Sequence, residues 1–189
     1  MRVVADANVL YSRTLRDWLF LLLLDTGGHL FTVHYTEDIL AETIARIREK
    51  NVDLDGAAMT TLCDRIRASM TSRIDDYPAL PDSPLADKKD RHVHAAASAA
   101  GVQMLITQDK GFLTLPDEIT DELTYEILTP DAFFVQVDDW VPDMVRAITE
   151  KQHLYWTGRS VTNLATALKS AGCPDFGERV AEHLRVLFC

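Results

Sequence analysis

Cysteine is scarce in this chain. Cys63, Cys173 and Cys189 are odd in number, widely spaced and in no CxxC pair, which excludes a disulfide framework and a thiolate zinc site as the basis of the fold. Long apolar runs are missing too. The longest, WLFLLLL from Trp18 to Leu24, falls far short of the roughly 18 residues that span a bilayer, and reads as a buried helix. No segment reads as an export signal, so the expected location is cytoplasmic. Positive charge is the third shortage: 19 Lys and Arg stand against 29 Asp and Glu, a net charge of −10. Charge alone therefore disfavours a polyanionic ligand, since phosphate contacts need local positive charge. A cluster of acids that takes up divalent cations would reverse the local field, so the placement of the acids becomes the question.

The 189 residues, 47% hydrophobic and 25% charged, suffice for one substantial core with a small appendage. A short β-prone run, RVVA (2–5), closes on Asp6. Helical sequence follows to Asp25 and stops at Gly27-Gly28. LFTVHY (30–35) reads as a strand. In TEDILAETIARIREK, Ile39, Leu40, Thr43, Ile44 and Ile47 keep the rhythm of an amphipathic helix. A second helix is expected over 55–72, and the proline-bearing stretch 74–86 reads as a loop. A helix with Val93, Ala96, Ala97 and Ala100 on one face then ends at Gly101, a C′ glycine. VQMLIT (102–107) reads as a buried strand leading to Asp109, and YEIL (125–128) as another. Strands alternating with helices indicate an α/β fold with a parallel sheet. The strand signal ends near 137, which sets a soft boundary between residues 2–137 and a helical extension over 138–189, with helices near 140–150, 161–171 and 175–187.

Ligands of open parallel α/β sheets bind outside the carboxyl ends of the strands. Asp6 and Asp109 follow two such ends, Asp90 lies in the first turn of the helix that feeds the second, and Glu42 sits mid-helix at the edge of an apolar stripe. Four carboxylates from separate elements repel one another unless they share a cation. Mg2+ and Mn2+ take oxygen ligands and retain waters, and such an ion can activate water and stabilise a phosphate leaving oxygen. The chemistry indicated is phosphodiester hydrolysis. Each acid also has a plainer reading: Asp87 or Asp90 as an N-cap, Glu42 paired with Arg46 one turn on, Asp109 and Asp6 as turn residues. His92 and His94 read as surface or packing residues, and Trp140 and Trp156 as core of the C-terminal helices.

DANVL at the N-terminus, ILAE (39–42), DRHVHAAASAAG (90–101) and LITQDKGF (105–112), with ILTPDAFF (127–134) behind them, together resemble the PIN-domain nucleases, and among them the VapC-type toxins. The resemblance implies a three-layer α/β/α domain with a central parallel sheet and a divalent-metal ribonuclease. In the mechanism it implies, a metal-activated water attacks an RNA phosphodiester. Matched residue by residue, Asp6, Glu42, Asp90 and Asp109 are the catalytic acids. Asp6, Asp90 and Asp109 hold Mg2+ or Mn2+, Glu42 holds water or a second ion, and Thr107 supports the site. Asp87 is an extra acid, read first as a helix cap and second as an extension of the metal site. The resemblance also implies a cognate antitoxin protein and a homodimer. Arg13, Arg16, Arg46, Lys89 and Arg91 could supply a basic path for RNA. Two other readings share these residues: a PIN-fold RNA-processing or DNA nuclease that is not a toxin, and a catalytically silent PIN binding module.

Overall fold

The computed structural model describes residues 1–79, 83–85, 87–88, 90–159 and 163–188; Lys89, Cys189 and the start of the helix expected at 161 lie outside them. Five strands, β1 (Arg2–Ala5), β2 (Thr32–Tyr35), β3 (Ser72–Arg73), β4 (Met104–Ile106) and β5 (Glu126–Leu128), form one all-parallel sheet in the order β3-β2-β1-β4-β5. Helices α1 (Ala7–Leu10) and α2 (Arg13–Asp25) connect β1 to β2, and α3 (Glu37–Lys50) and α4 (Gly56–Ser69) connect β2 to β3. The chain then crosses back through α5 (Arg91–Ala99) to β4, and reaches β5 by the short helices α6 (Lys110–Leu113) and α7 (Asp117–Thr120). Crossovers between parallel strands are right-handed. Connections running from β1 toward β3 therefore cover one face, and those on the β4–β5 side cover the other. Both faces are buried, which is why β1 and β4 are continuous apolar runs without alternation: Val3, Val4, Ala5, Leu105 and Ile106 are all inaccessible.

The strand order reverses between β1 and β4, whose carboxyl ends make the crevice where such sheets take ligands. Register fixes that crevice. Ala5 pairs with Ile106, and the Asp6 N–H donates to the Ile106 carbonyl at 3.0 Å. The chain turns from strand to helix at acids on both sides. Asp6 caps α1 by accepting the Ala7 N–H, and Asp109 caps α6 by accepting the Gly111 N–H. On α5, Val93 and Ala95–Ala97 are buried, and the helix ends at Gly101 in the left-handed region (φ 59°).

Four C-terminal helices follow among the described residues: α8 (Pro130–Trp140), α9 (Pro142–Trp156), α10 (Leu164–Ser170) and α11 (Pro174–Phe188). Position 137, where the strand signal fades, falls inside α8. The helix breaks only at Val141-Pro142, where proline starts α9 at its N1 position. Phe176 of α11 sits 5.0 Å from Trp18 of α2 and 5.2 Å from Phe134 of α8, ring centre to ring centre. Phe133 of α8 meets Phe31, just before β2, at 5.2 Å. The extension thus shares the apolar core of the sheet. Its helices are also tied polar group to polar group: Asp131, in the first turn of α8, accepts the Phe176 and Asp175 N–H groups at the start of α11. Trp140, a candidate core residue, is 44% exposed, because it is the last residue of α8 and points past the packed stripe. Among the described residues no helix is long and apolar enough to cross a membrane.

Candidate metal centre at the carboxyl ends of β1 and β4

Asp6 is buried at the tip of β1 and held by three donors. Its Oδ1 accepts the Ala7 N–H at 2.6 Å, and its Oδ2 accepts the Asn8 amide at 2.6 Å and the Thr107 hydroxyl at 2.7 Å. Thr107, inaccessible at the tip of β4, uses its full capacity. While donating to Asp6, its Oγ1 accepts from Asn8 Nδ2 at 3.0 Å and from the Asp109 N–H at 3.0 Å. Asn8 Oδ1 in turn accepts the Gln108 N–H at 3.0 Å. Because a backbone N–H can only donate, this bond fixes which end of the Asn8 amide faces Gln108 and leaves the NH2 for Asp6 and Thr107. Asn8 therefore bridges the two strand ends, a role its position three residues past β1 did not reveal.

Burial raises the pKa of Asp6. The Thr107 and Ala7 hydrogen bonds oppose the rise, and the charges of Glu42 and Asp109 add to it. Asp90 stands at the N-cap position of α5, yet its side chain makes no capping bond. Its carboxyl is pushed up to about 6, first by burial, then by the charges of Asp109, Asp87, Asp6 and Glu42. Asp90 thus feels the other three expected acids, and Asp87 acts on it more strongly than Asp6 or Glu42 does. Asp87 itself is exposed, and its carbonyl accepts the Asp90 N–H at 3.4 Å. Glu42 is half-buried, and its Oε1 lies 3.8 Å from Arg46 Nη2 one turn on, a loose and partly exposed ion pair of small energetic value.

Asp90 and Asp109 converge beside Gly111. A Cβ at Gly111 would lie 2.8 Å from Asp109 Oδ1 and 3.8 Å from Asp90 Oδ2, so glycine keeps open the space both carboxylates border. Among the described residues no group of three His, Cys, Asp or Glu side chains stands close enough to hold a metal ion together. That still fits Mg2+ or Mn2+, which phosphoryl-transfer sites hold with one or two carboxylates while waters and substrate phosphates complete the shell. Two carboxylates bordering a cleared space, with the charge of two more nearby, are such a donor set.

The remaining candidates are dispersed. His94 is buried and bonds Tyr125 at 2.6 Å, ahead of β5, as a packing histidine. Arg16 is buried with its guanidinium donating to the Leu10 carbonyl at 2.6 Å, so it is no part of a basic path. Arg13 pairs with Asp17 and lies over the Trp156 ring. A cavity of about 1030 Å3 runs along α2, α3, α4 and the end of α9, and none of the four acids lines it.

A parallel sheet whose strand order reverses beside a cluster of carboxylates places them where open α/β proteins take their ligands. The PIN domain family model matches residues 2–111, and the chain belongs to that family. The PIN domain is a nuclease fold, commonly metal-dependent. No curated protein and no solved structure matches the chain.

Proposed function

We propose that this PIN domain is a divalent-metal-dependent endoribonuclease, and that it acts as the toxin of a toxin–antitoxin pair. The observation that carries the reading is the convergence of Asp90 and Asp109 on the space beside Gly111, where burial and neighbouring acids both oppose ionisation of Asp90. Its side chain makes no cap, and the charges of Asp109, Asp87, Asp6 and Glu42 all oppose its ionisation. A folded protein bears that repulsion most readily where a cation relieves it. Of the three acids that the resemblance gives as ligands, Asp90 and Asp109 would hold Mg2+ or Mn2+ directly beside Gly111 and Asp6 would reach it through a bound water, with Glu42 on water or a second ion. When bound, the cation supplies Lewis-acid stabilisation of the phosphate and lowers the pKa of water.

The chain's own residues prepare this site. Thr107 and Asn8 aim Asp6 Oδ2, and the Gly111 N–H holds Asp109 Oδ1 at 2.6 Å. The start of α5 adds the positive end of a helix beside Asp90. The likeness of the DANVL, ILAE, DRHVHAAASAAG and LITQDKGF segments to VapC-type toxins supports RNA as substrate, an antitoxin protein as inhibitor and a homodimeric state.

The test is incubation of purified protein with total RNA, transfer RNA and DNA, in Mg2+, Mn2+ or EDTA, with Asp6→Asn as the control for contaminating nuclease. Discrete RNA fragments that require metal and vanish in the variant support the reading. Cleavage of DNA instead would move the substrate. No cleavage by folded protein that also binds no metal would favour a silent binding module.

A further inference from the structure

Gln108 lies between Thr107 and Asp109, and its side chain points away from the acids toward the C-terminal helices. Its Nε2 donates to the Ala171 carbonyl at 2.8 Å, a contact spanning 63 positions of sequence. The last carbonyls of a helix lack partners within it. At the end of α10, the Cys173 and Gly172 N–H groups satisfy Leu168 and Lys169, and Gln108 satisfies Ala171. Position 172 is committed to this arrangement twice over. Its φ of +86° is the left-handed conformation that glycine tolerates, and a Cβ there would lie 2.5 Å from Gln108 Nε2. At its other end Gln108 is anchored too, because its own N–H is held by Asn8 Oδ1 at 3.0 Å. A continuous chain of bonds therefore runs from the α10–α11 turn through Gln108 and Asn8 to Asp6 and Thr107. The turn lies outside the segment that the family model matches, residues 2–111.

We propose that Gln108 is a positioning residue, through which the α10–α11 turn holds the Thr107–Asp109 loop in register with Asp6. The helical extension is then a working support of the acid cluster. The consequence for catalysis rests on the nuclease reading above; the mechanical coupling does not. Gly172→Ala adds a Cβ that displaces the Gln108 amide from the Ala171 carbonyl, and Gln108→Met removes the donor while keeping length and shape.

Three readouts separate positioning from general destabilisation. Amide exchange of the peptide covering 105–112 should quicken about tenfold in Gly172→Ala, although the substitution lies far away in sequence. Mn2+ affinity, read by electron paramagnetic resonance, should weaken about tenfold, the scale of losing an outer-shell support. In RNA cleavage, kcat should fall with KM little changed. If Gly172→Ala does not fold, Gln108→Met decides by the same measurements. Variants with a lower melting temperature but wild-type exchange at 105–112 and wild-type Mn2+ affinity would overturn the proposal. A wild-type protein that neither binds Mn2+ nor cuts RNA would sink the nuclease reading instead, and exchange in Gly172→Ala would still decide whether the coupling exists.

Discussion

Replacing Thr107 with valine keeps the side-chain shape and removes one hydroxyl that makes three hydrogen bonds. It donates to Asp6 Oδ2 at 2.7 Å and accepts from Asn8 Nδ2 and the Asp109 N–H, each at 3.0 Å. The bond to the ionised carboxylate is worth about 1.5–3 kcal/mol, and each neutral donor left behind costs about 0.5–1.5 kcal/mol, because Asn8 and Asp109 are only half-buried and water recovers part of the loss. The added buried methyl returns about 0.8 kcal/mol. The net expectation is a loss of about 2–5 kcal/mol at neutral pH, or a fall in melting temperature of roughly 4–20 °C for a chain of this size.

The pH dependence is the sharper signature. The Thr107 bond lowers a pKa that burial raises, so its contribution is present while Asp6 is ionised and is lost as pH falls through the Asp6 transition. Urea unfolding followed by circular dichroism, at neutral pH and at about pH 4, measures both quantities, with Thr107→Ser as the variant that retains the hydroxyl. A Thr107→Val protein within about 0.5 kcal/mol of wild type at neutral pH would refute this reasoning, as would a loss that does not shrink on acidification.

Other expectations follow from the same geometry. Asp90 has its carboxyl pushed up to about 6, above the 3.8 of a free aspartate. Its contribution to stability is therefore fully present below about pH 4 and lost as pH rises through about 6. Melting in EDTA should show a steeper decline in wild type than in Asp90→Asn, where the raised carboxyls of Asp6 and Asp17 still contribute, and Mg2+ should stabilise the wild type more above pH 6 than below it; equal declines would remove Asp90 as a source. Gly111→Ala would put a Cβ 2.8 Å from the present position of Asp109 Oδ1, so it should displace that carboxylate and cut RNA cleavage about 10- to 100-fold, a result checked by initial rates in Mg2+; unchanged rates would show that the cleared space is not used. Phe176→Ala, which empties the site between Trp18 and Phe134, should cost about 3–5 kcal/mol while calorimetry still shows a single transition. Two separated transitions would mean that the extension folds on its own.

The sheet is legible because β1 and β4 are apolar runs that close on acids, and in an all-parallel sheet covered on both faces such runs need no alternation. The helices over 37–50 and 91–99 are legible from periodicity, and Gly101 from its place after the last periodic residue. β3 is not, since Ser72 and Arg73 are both exposed and carry no apolar signal. The break between α8 and α9 at Val141-Pro142 is carried by the proline, but the apolar residues on its two sides make 130–156 hard to divide by periodicity alone. At the candidate site, carboxylates announce themselves as residue types at strand ends. Asn8 and Gln108 do not. Their work depends on register, which sets residue 8 against residues 107–108, and on a turn 63 positions away. Arg16 shows the converse: a cation in sequence that the fold buries against a carbonyl.

The most direct test of the account is a crystal of the protein soaked in Mn2+, with diffraction recorded above the manganese absorption edge. An anomalous peak is expected beside Gly111, in contact with the carboxylate of Asp90 or Asp109 and near Asp6, and it should be lost in Asp90→Asn. A saturating soak that leaves those carboxylates without a peak, in protein shown to be folded, would contradict the account.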